Sequence, residues 1–244
     1  MNVSRICQGA FRGIIKRNLY IENYQKLLIN SRRFHQTKTQ LRQISTVNTK
    51  QLHKEDGWVK QMLKKIPFFN VEKTRLMAAA YFLYENIADR VNYVSFFEEL
   101  DVPDTFYSWF VITELHIWMI SARIMAEGDN GRHLRNFLVE ALWNDVGQRI
   151  KKLGALSNPS VAREQVKQLS EQLQAALIAY DEGLQSDDTI LAGALWRRLY
   201  QQGDVDPRSL EILVKYVRKQ MRLLDHLSME TLTNAKIDWV LLNR

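Results

Sequence analysis

Glu114 and His116 are the residues best suited to chemistry in this sequence, and they lie two positions apart in an otherwise apolar stretch. On a helix, two positions correspond to a rotation of about 200°, so the carboxylate and the imidazole point in different directions and do not share a ligand. The sequence also lacks the G-x-S-x-G, G-x-x-x-x-G-K, G-x-G-x-x-G and H-E-x-x-H motifs. We therefore expect His116 to be a partly buried imidazole hydrogen-bonded to a neighbouring helix.

Metal sites and thiol chemistry have no better support in the sequence. Cys7 is the only cysteine and lies in the N-terminal region. The pair Asp187-Asp188 is shorter than the Asp-rich magnesium motif of isoprenoid enzymes and is better explained as a helix cap. The histidines beyond residue 50 never stand three or four positions apart: they are His53, His116, His133 and His226. We predict that the protein has no cofactor and no metal site.

A cationic stripe near the C-terminus is a further candidate for function. Lys215, Arg218, Lys219 and Arg222 stand at i, i+3, i+4 and i+7, so they share one face of a predicted helix. The stripe is either a solvated surface or a contact for RNA or an acidic partner.

The helix that carries Glu114 and His116 is predicted from Asp104 to Glu127, a stretch without Pro or Gly. It is apolar almost all round, which indicates either burial among other helices or a membrane span. Glu114 would lie near the bilayer midplane and the flanks carry no basic anchors, so we favour a buried helix at the centre of a bundle. We expect Phe110, Ile117 and Ile124 to pack inside.

Some residues of this helix are expected to contact other elements. The charges of Glu114 and Arg123 need partners, and the candidates on other helices are Arg149, Arg197 and Asp145. We also expect either Trp109 or Trp118 to lie nearer a partner surface.

The rest of the chain also has helical periodicity. A tight reversal is expected at Gly128–Gly131, and Asp206-Pro207 and Ser228 have the composition of helix N-termini. The predicted fold is all-α, with a single helical bundle-like domain of about seven to nine helices at residues 55–244. The predicted helices span 56–66, 71–91, 92–100, 104–127, 132–153, 159–184 and 188–203, then one from 207 and a short last one that carries Leu232, Ile237, Trp239 and Val240.

Residues 1–50 are predicted to be a targeting segment followed by a linker. They contain ten Lys or Arg residues and one acid, Glu22. Apolar residues at helical spacing among these cations are typical of a mitochondrial presequence, and we expect cleavage just after Phe34. The alternative is a basic tail that binds nucleic acid in the cytosol.

Three long segments carry a family resemblance. FYSWFVITELHIWMISARIMAEG, FLVEALWNDVGQRIKKLG and AYDEGLQSDDTILAGALWRRLY follow one another in fixed order. They resemble the ubiquinol-cytochrome c chaperone family of mitochondrial complex III assembly factors over about Trp58 to Tyr200. The resemblance implies an assembly factor and not an enzyme. It also implies a mitochondrial protein on the matrix side of the inner membrane, peripherally attached. It also implies three partners: newly made cytochrome b, a small complex III assembly partner subunit and the mitochondrial ribosome.

The resemblance also supplies candidate residues for binding the partner or client. These are Trp109, His116, Trp118, Arg123, Tyr180, Asp181 and Trp196. Two alternative functions are a helical lipid- or quinone-binding protein and an isoprenoid-type enzyme of mitochondria. A long enclosed apolar cavity would favour these alternatives, whereas a shallow exposed groove would favour the chaperone. A mitochondrial RNA-binding protein is the third.

Overall fold

The computed structural model describes residues 71–152 and 159–242, and all regular structure in this part of the chain is helical. The predicted all-α fold is confirmed. The helices are α1 (Val71–Arg90), α2 (Tyr93–Glu99), α3 (Phe106–Ile124), α4 (Gly128–Lys152), α5 (Pro159–Gln185), α6 (Asp188–Leu199), α7 (Pro207–Asp225) and α8 (Met229–Thr233), with a 3-10 turn at Met125–Glu127.

Local capping interactions explain where several helices begin. The Asp206 carboxylate accepts a hydrogen bond from the Arg208 amide, and Pro207 occupies the first helical turn of α7. Asp187 caps α6 and Ser228 caps α8 in the same manner. These starts confirm the sequence signals, because each cap depends only on residues within one turn.

Helix α3 is the centre of the fold. It contacts α1, α2, α4, α5, α6 and α7. Phe110, Ile117 and Ile124 are at most 1% exposed, which confirms the predicted inner face. Among the described residues, one helical stretch, Phe106–Ile150, is long and apolar enough to cross a membrane, but 83% of its most apolar window is buried inside the protein.

The reversal between α3 and α4 lies earlier than predicted, at residues 125–128, because residues 128–131 already belong to α4. Gly128 adopts a φ of 67°, a conformation that is strained for residues with a Cβ, and α4 begins at that residue. A Cβ on Gly131 would collide with the Ile124 carbonyl oxygen, so the start of α4 lies directly against the end of α3. The two glycines together allow the chain to reverse with a single 3-10 turn.

The last helix was predicted to continue as far as Val240, but it ends at Thr233. Ala235 has a φ of 51°. Its amide bonds to the Leu232 carbonyl and the Lys236 amide bonds to the Thr231 carbonyl, which is the Schellman pattern that ends a helix. Residues 236–242 then run on as a non-helical segment, which we call the C-terminal strap.

Buried amide side chains hold the C-terminal strap against the bundle. Asn86 on α1 donates to the carbonyls of Ala235 and Ile237. Gln220 on α7 donates to the Asp238 carbonyl and accepts from the Val240 amide. The strap therefore fastens α1 to α7.

Some predictions fall on parts of the chain that lie outside the described residues. They are the targeting segment and linker at 1–50, the short helix at 56–66 and the capping role of Asn158.

Candidate partner-binding site

Glu114 lies at the middle of α3 and is fully buried. Arg198 on α6 donates two hydrogen bonds to its carboxylate, Nε to Oε1 at 2.8 Å and Nη2 to Oε2 at 2.7 Å. The predicted partners of Glu114 were wrong, although Arg197 is the neighbour of the true one. Arg197 faces solvent, whereas the next position on α6 points towards α3.

The same arginine joins three helices. Its Nη1 donates to the Gln172 side chain on α5 at 2.8 Å and to the Tyr107 hydroxyl at 3.1 Å. Burial raises the pKa of Glu114, opposed by the hydrogen bonds and charge of Arg198. Burial alone would lower the pKa of Arg198, but its contacts with Glu114 raise it overall. This bidentate geometry is that of a charged carboxylate and guanidinium that fix the register of α3, α5 and α6.

His116 is hydrogen-bonded to a neighbouring helix, as predicted, but it is fully buried and not partly buried. Its Nδ1 lies 2.6 Å from the Ile112 carbonyl oxygen, and its Nε2 lies 2.7 Å from the Tyr216 hydroxyl on α7. A carbonyl only accepts, so Nδ1 carries the proton and Nε2 accepts from Tyr216. Burial lowers the pKa of His116 to about 4, so the ring is neutral at pH 7.

Trp118 is fully enclosed in the core. Its indole N–H donates to the Asp181 carboxylate on α5 at 2.8 Å, and its ring lies 5.1 Å from that of Tyr180, which is also buried. Burial raises the pKa of Asp181, opposed by the hydrogen bond from Trp118. Of the two tryptophans considered for a partner surface, the structure places Trp118 inside and leaves Trp109 part-exposed.

Two further candidates make contacts within the chain. Arg123 donates to Glu127 at 2.8 Å and to the Leu227 carbonyl at 2.7 Å, so its observed partners differ from the predicted ones and tie the end of α3 to the α7–α8 connection. The part-exposed Trp196 donates to the Gly203 carbonyl and closes the turn after α6.

The cationic stripe of α7 is divided between two roles. Arg218 donates to the carbonyls of Gly183, Leu184 and Ser186 and pairs with Asp188, so it caps the end of α5. The other three members are exposed, and one of them pairs with Glu211 on its own helix. A contact of this stripe with RNA or an acidic partner stays a prediction. Of its four residues, only Lys215, Lys219 and Arg222 are exposed enough to make such a contact.

Trp109 belongs to an open cavity of about 560 Å³ between α1, α2, α3 and α4, which we call the aromatic groove. The guanidinium of Arg149 stacks over the Trp109 ring at 3.9 Å, and the Phe106 ring lies 5.5 Å from the same indole. The groove is lined by Ala88, Tyr93, Phe97, Asp104, Thr105, Phe106, Trp109 and Arg149.

Most residues of the aromatic groove were missed by the sequence reasoning, which identified only Trp109 as a binding candidate. The available signal was the density of aromatic residues between 93 and 109. Within the described residues, no group of three or more His, Cys, Asp or Glu side chains is arranged to hold a metal ion.

The sequence profile of the ubiquinol-cytochrome C chaperone family matches residues 98–239. The chain belongs to this family. The match begins within α2 and ends in the C-terminal strap, so it includes the buried contacts of Glu114, His116 and Trp118.

Individual members of the ubiquinol-cytochrome C chaperone family support this assignment. The chain is 49% identical over 195 residues to ubiquinol-cytochrome c reductase complex assembly factor 1 of Drosophila melanogaster, covering 78% of this chain and 75% of that protein. It is 34% identical over 147 residues to the mitochondrial protein CBP3 of Saccharomyces cerevisiae, covering 59% of this chain and 44% of that one.

The fold of this chaperone family member is also similar to a crystal structure of the Cbp3 homologue from Brucella abortus. The TM-score is 0.60 at 23% identity, and the similarity covers 69% of this chain and 92% of that one. At this identity the likeness supports the fold alone.

Proposed function

We propose that this protein is an assembly chaperone of the mitochondrial ubiquinol-cytochrome c reductase complex, complex III, and that it holds newly made cytochrome b. The observation that carries the proposal is the 49% identity, over most of both chains, to a fly protein named as an assembly factor of that complex. The yeast relative is named as mitochondrial, which supports a mitochondrial location.

The aromatic groove gives this role a physical basis. A chaperone needs apolar surface that remains accessible on a stable body, because its client must be held and later released. The groove presents aromatic rings to solvent, while the core behind it is fixed by buried polar contacts. An open groove of this kind suits a transient protein client better than a lipid or quinone, which would require an enclosed apolar cavity.

The proposal includes three further partners or locations. We place the protein on the matrix side of the inner membrane, peripherally attached, acting with a small partner subunit near the mitochondrial ribosome. The exposed cations Lys215, Lys219 and Arg222 on α7 are suited to an acidic protein surface or to phosphates. The family's name as a chaperone supports a binding role without a chemical step.

Site-specific crosslinking to newly made mitochondrial proteins tests the proposed function. A photoreactive residue at Trp109 should capture cytochrome b during mitochondrial translation, whereas the same residue at the exposed Ile178 on α5 should capture much less. Loss of the protein should also reduce assembled complex III. A normal amount of assembled complex III without the protein would contradict the proposal. A pulldown that lacks both cytochrome b and a small partner subunit would also contradict it.

A further inference from the structure

The charges around the aromatic groove differ from those of the chain as a whole. The protein carries a formal net charge of +7. Residues 88–109, which supply seven of the eight lining positions, contain five acids and only one basic residue, Arg90. Asp104 lines the groove itself, and Asp89 and Glu98 directly follow the lining residues Ala88 and Phe97.

These acids are available to a partner. Asp89, Glu98 and Asp104 are exposed, and none of them forms an ion pair within the described residues. The cation that lines the groove is already compensated, because Arg149 pairs with Asp145 at 3.0 Å and stacks on Trp109. The groove therefore combines an aromatic floor with a negative edge.

The shape of the groove favours a helical occupant. Its walls are helices, and an amphipathic helix lays its apolar stripe into such a channel through residues at i, i+3, i+4 and i+7. The volume of about 560 Å³ is sufficient for a few apolar side chains of one such stripe. The charged sides of the same helix would then lie beside the acids at the edge of the groove. These acids would speed the association of a positively charged helix and disfavour a negatively charged one.

We infer that the aromatic groove binds an amphipathic helix of a partner protein whose apolar stripe is flanked by Lys or Arg. The inference deepens the proposed chaperone role, and it rests on that role only for the expectation that a protein partner exists. The aromatic rings of Phe106 and Trp109 would contact the stripe, and Asp104 and Glu98 would face the flanking cations.

Binding of designed peptides to the purified full-length protein tests the inference. The first probe is a peptide of about 14 residues with leucines at the i, i+3, i+4 and i+7 positions and lysines elsewhere. The second has glutamates in place of the lysines. We expect the lysine peptide to bind at least about tenfold more tightly, with an affinity that falls as salt rises.

Variants of the protein locate the binding site. The double variant Glu98→Gln with Asp104→Asn should weaken binding of the lysine peptide by about three- to tenfold and reduce its salt dependence. Asp204→Asn removes an exposed acid between α6 and α7 and should leave the affinity unchanged. Trp109→Leu should weaken binding through the apolar stripe. These substitutions lie at exposed or part-exposed positions, and a single cooperative thermal unfolding transition of each variant confirms that the fold is retained.

Several results would overturn the inference. The first is absence of binding, the second is equal affinity for both peptides, and the third is the same loss of affinity in the Asp204→Asn control. A homodimer that dissociates on Trp109→Leu would assign the groove to a second copy. Binding of a peptide with the sequence of residues 10–20, without binding of the lysine probe, would assign it to the chain's own basic segment.

The peptide results and the cytochrome b crosslink are independent of each other. A failed peptide test with an intact crosslink rejects the basic-helix inference and leaves the chaperone role standing. A groove that binds the lysine peptide in a protein that complex III assembly does not need rejects the chaperone role instead.

Discussion

The first turn and the centre of α3 place similar residues in opposite settings. At the centre, Trp118 and Glu114 are fully buried, and each is bonded to a side chain on another helix. In the first turn, Trp109 and Phe106 are part-exposed and line an open groove. The central residues determine how the helices fit together, whereas those of the first turn remain available to a partner.

Breaking the central ion pair should have the largest effect on stability. Arg198→Met leaves the Glu114 carboxylate buried without its partner, which should lower the free energy of unfolding by about 3–5 kcal/mol in urea denaturation. Arg197→Met removes the exposed charge at the neighbouring position and should change the free energy of unfolding by less than about 0.5 kcal/mol. The double variant Glu114→Leu with Arg198→Met should recover most of the loss. Equal losses from the two single arginine variants would contradict this account.

The pH dependence of stability should identify His116. Because burial lowers its pKa from 6.5 to about 4, the unfolded chain binds a proton between these values that the folded chain does not. Stability is therefore lost as the pH falls from 6.5 towards 4, by about 3 kcal/mol from this residue. The comparison is between the wild type and His116→Gln, measured in urea at pH 7 and pH 4. The difference in their unfolding free energies should shift by about that amount in favour of the variant at low pH.

An exposed histidine provides the control for this measurement. His133→Gln replaces an exposed side chain on the surface of α4, and the same measurements on it show how much of the shift any histidine substitution produces. A flat difference for His116→Gln would mean that the folded protein protonates the imidazole as readily as the unfolded chain does, and Nε2 would then be unable to accept the hydrogen bond from Tyr216 at pH 4.

The close approach of α5 and α6 is a further test of the packed side of the comparison. A Cβ on Gly183 would lie 2.7 Å from the Leu191 Cα, a backbone atom that cannot move away alone. Gly183→Ala should therefore destabilise the protein by about 1–3 kcal/mol. Gly193→Ala on α6 would meet only the end of the flexible Arg197 side chain at 3.3 Å, and should be neutral or slightly stabilising. The stability of the two variants is compared by thermal unfolding. If Gly193→Ala destabilised the protein as much as Gly183→Ala does, the close approach of the two backbones would not be the cause.

The sequence predicted features that depend on a few neighbouring residues. The starts of α6, α7 and α8 follow from local caps, and the burial of Phe110 follows from periodicity within one helix. The end of α8 was missed because its left-handed residue is Ala235, where Gly or Asn would have given a signal.

Features that depend on the arrangement of helices were not predictable in the same way. Arg197 and Arg198 differ by about 100° around α6, and choosing between them requires knowing how that helix is rotated against α3. The aromatic groove brings Ala88 and Arg149 together across 61 positions of sequence, so no local pattern contains it. The family resemblance supplied binding candidates on α3, α5 and α6, but it did not separate core residues such as Trp118 from part-exposed ones such as Trp109.

The two tryptophans of α3 provide the most direct comparison of its first turn with its centre. Trp118→Leu should cost several kcal/mol, because it leaves a cavity in the core and removes the hydrogen bond to the part-buried Asp181. Trp109→Leu keeps an apolar side chain in the groove and mainly loses the stacking of Arg149, so it should cost only about 0.5–1 kcal/mol.

The effects of these two substitutions on function should be in the reverse order to their effects on stability. If the first turn of α3 contacts a partner, Trp109→Leu should reduce assembled complex III in mitochondria at a normal level of the chaperone, whereas Trp118→Leu should reduce it only in proportion to the chaperone lost. Immunoblots of the chaperone beside native gels of complex III measure both quantities. Normal assembly with Trp109→Leu would mean that its partial exposure has no role in partner binding, because the substitution removes the indole without removing the protein.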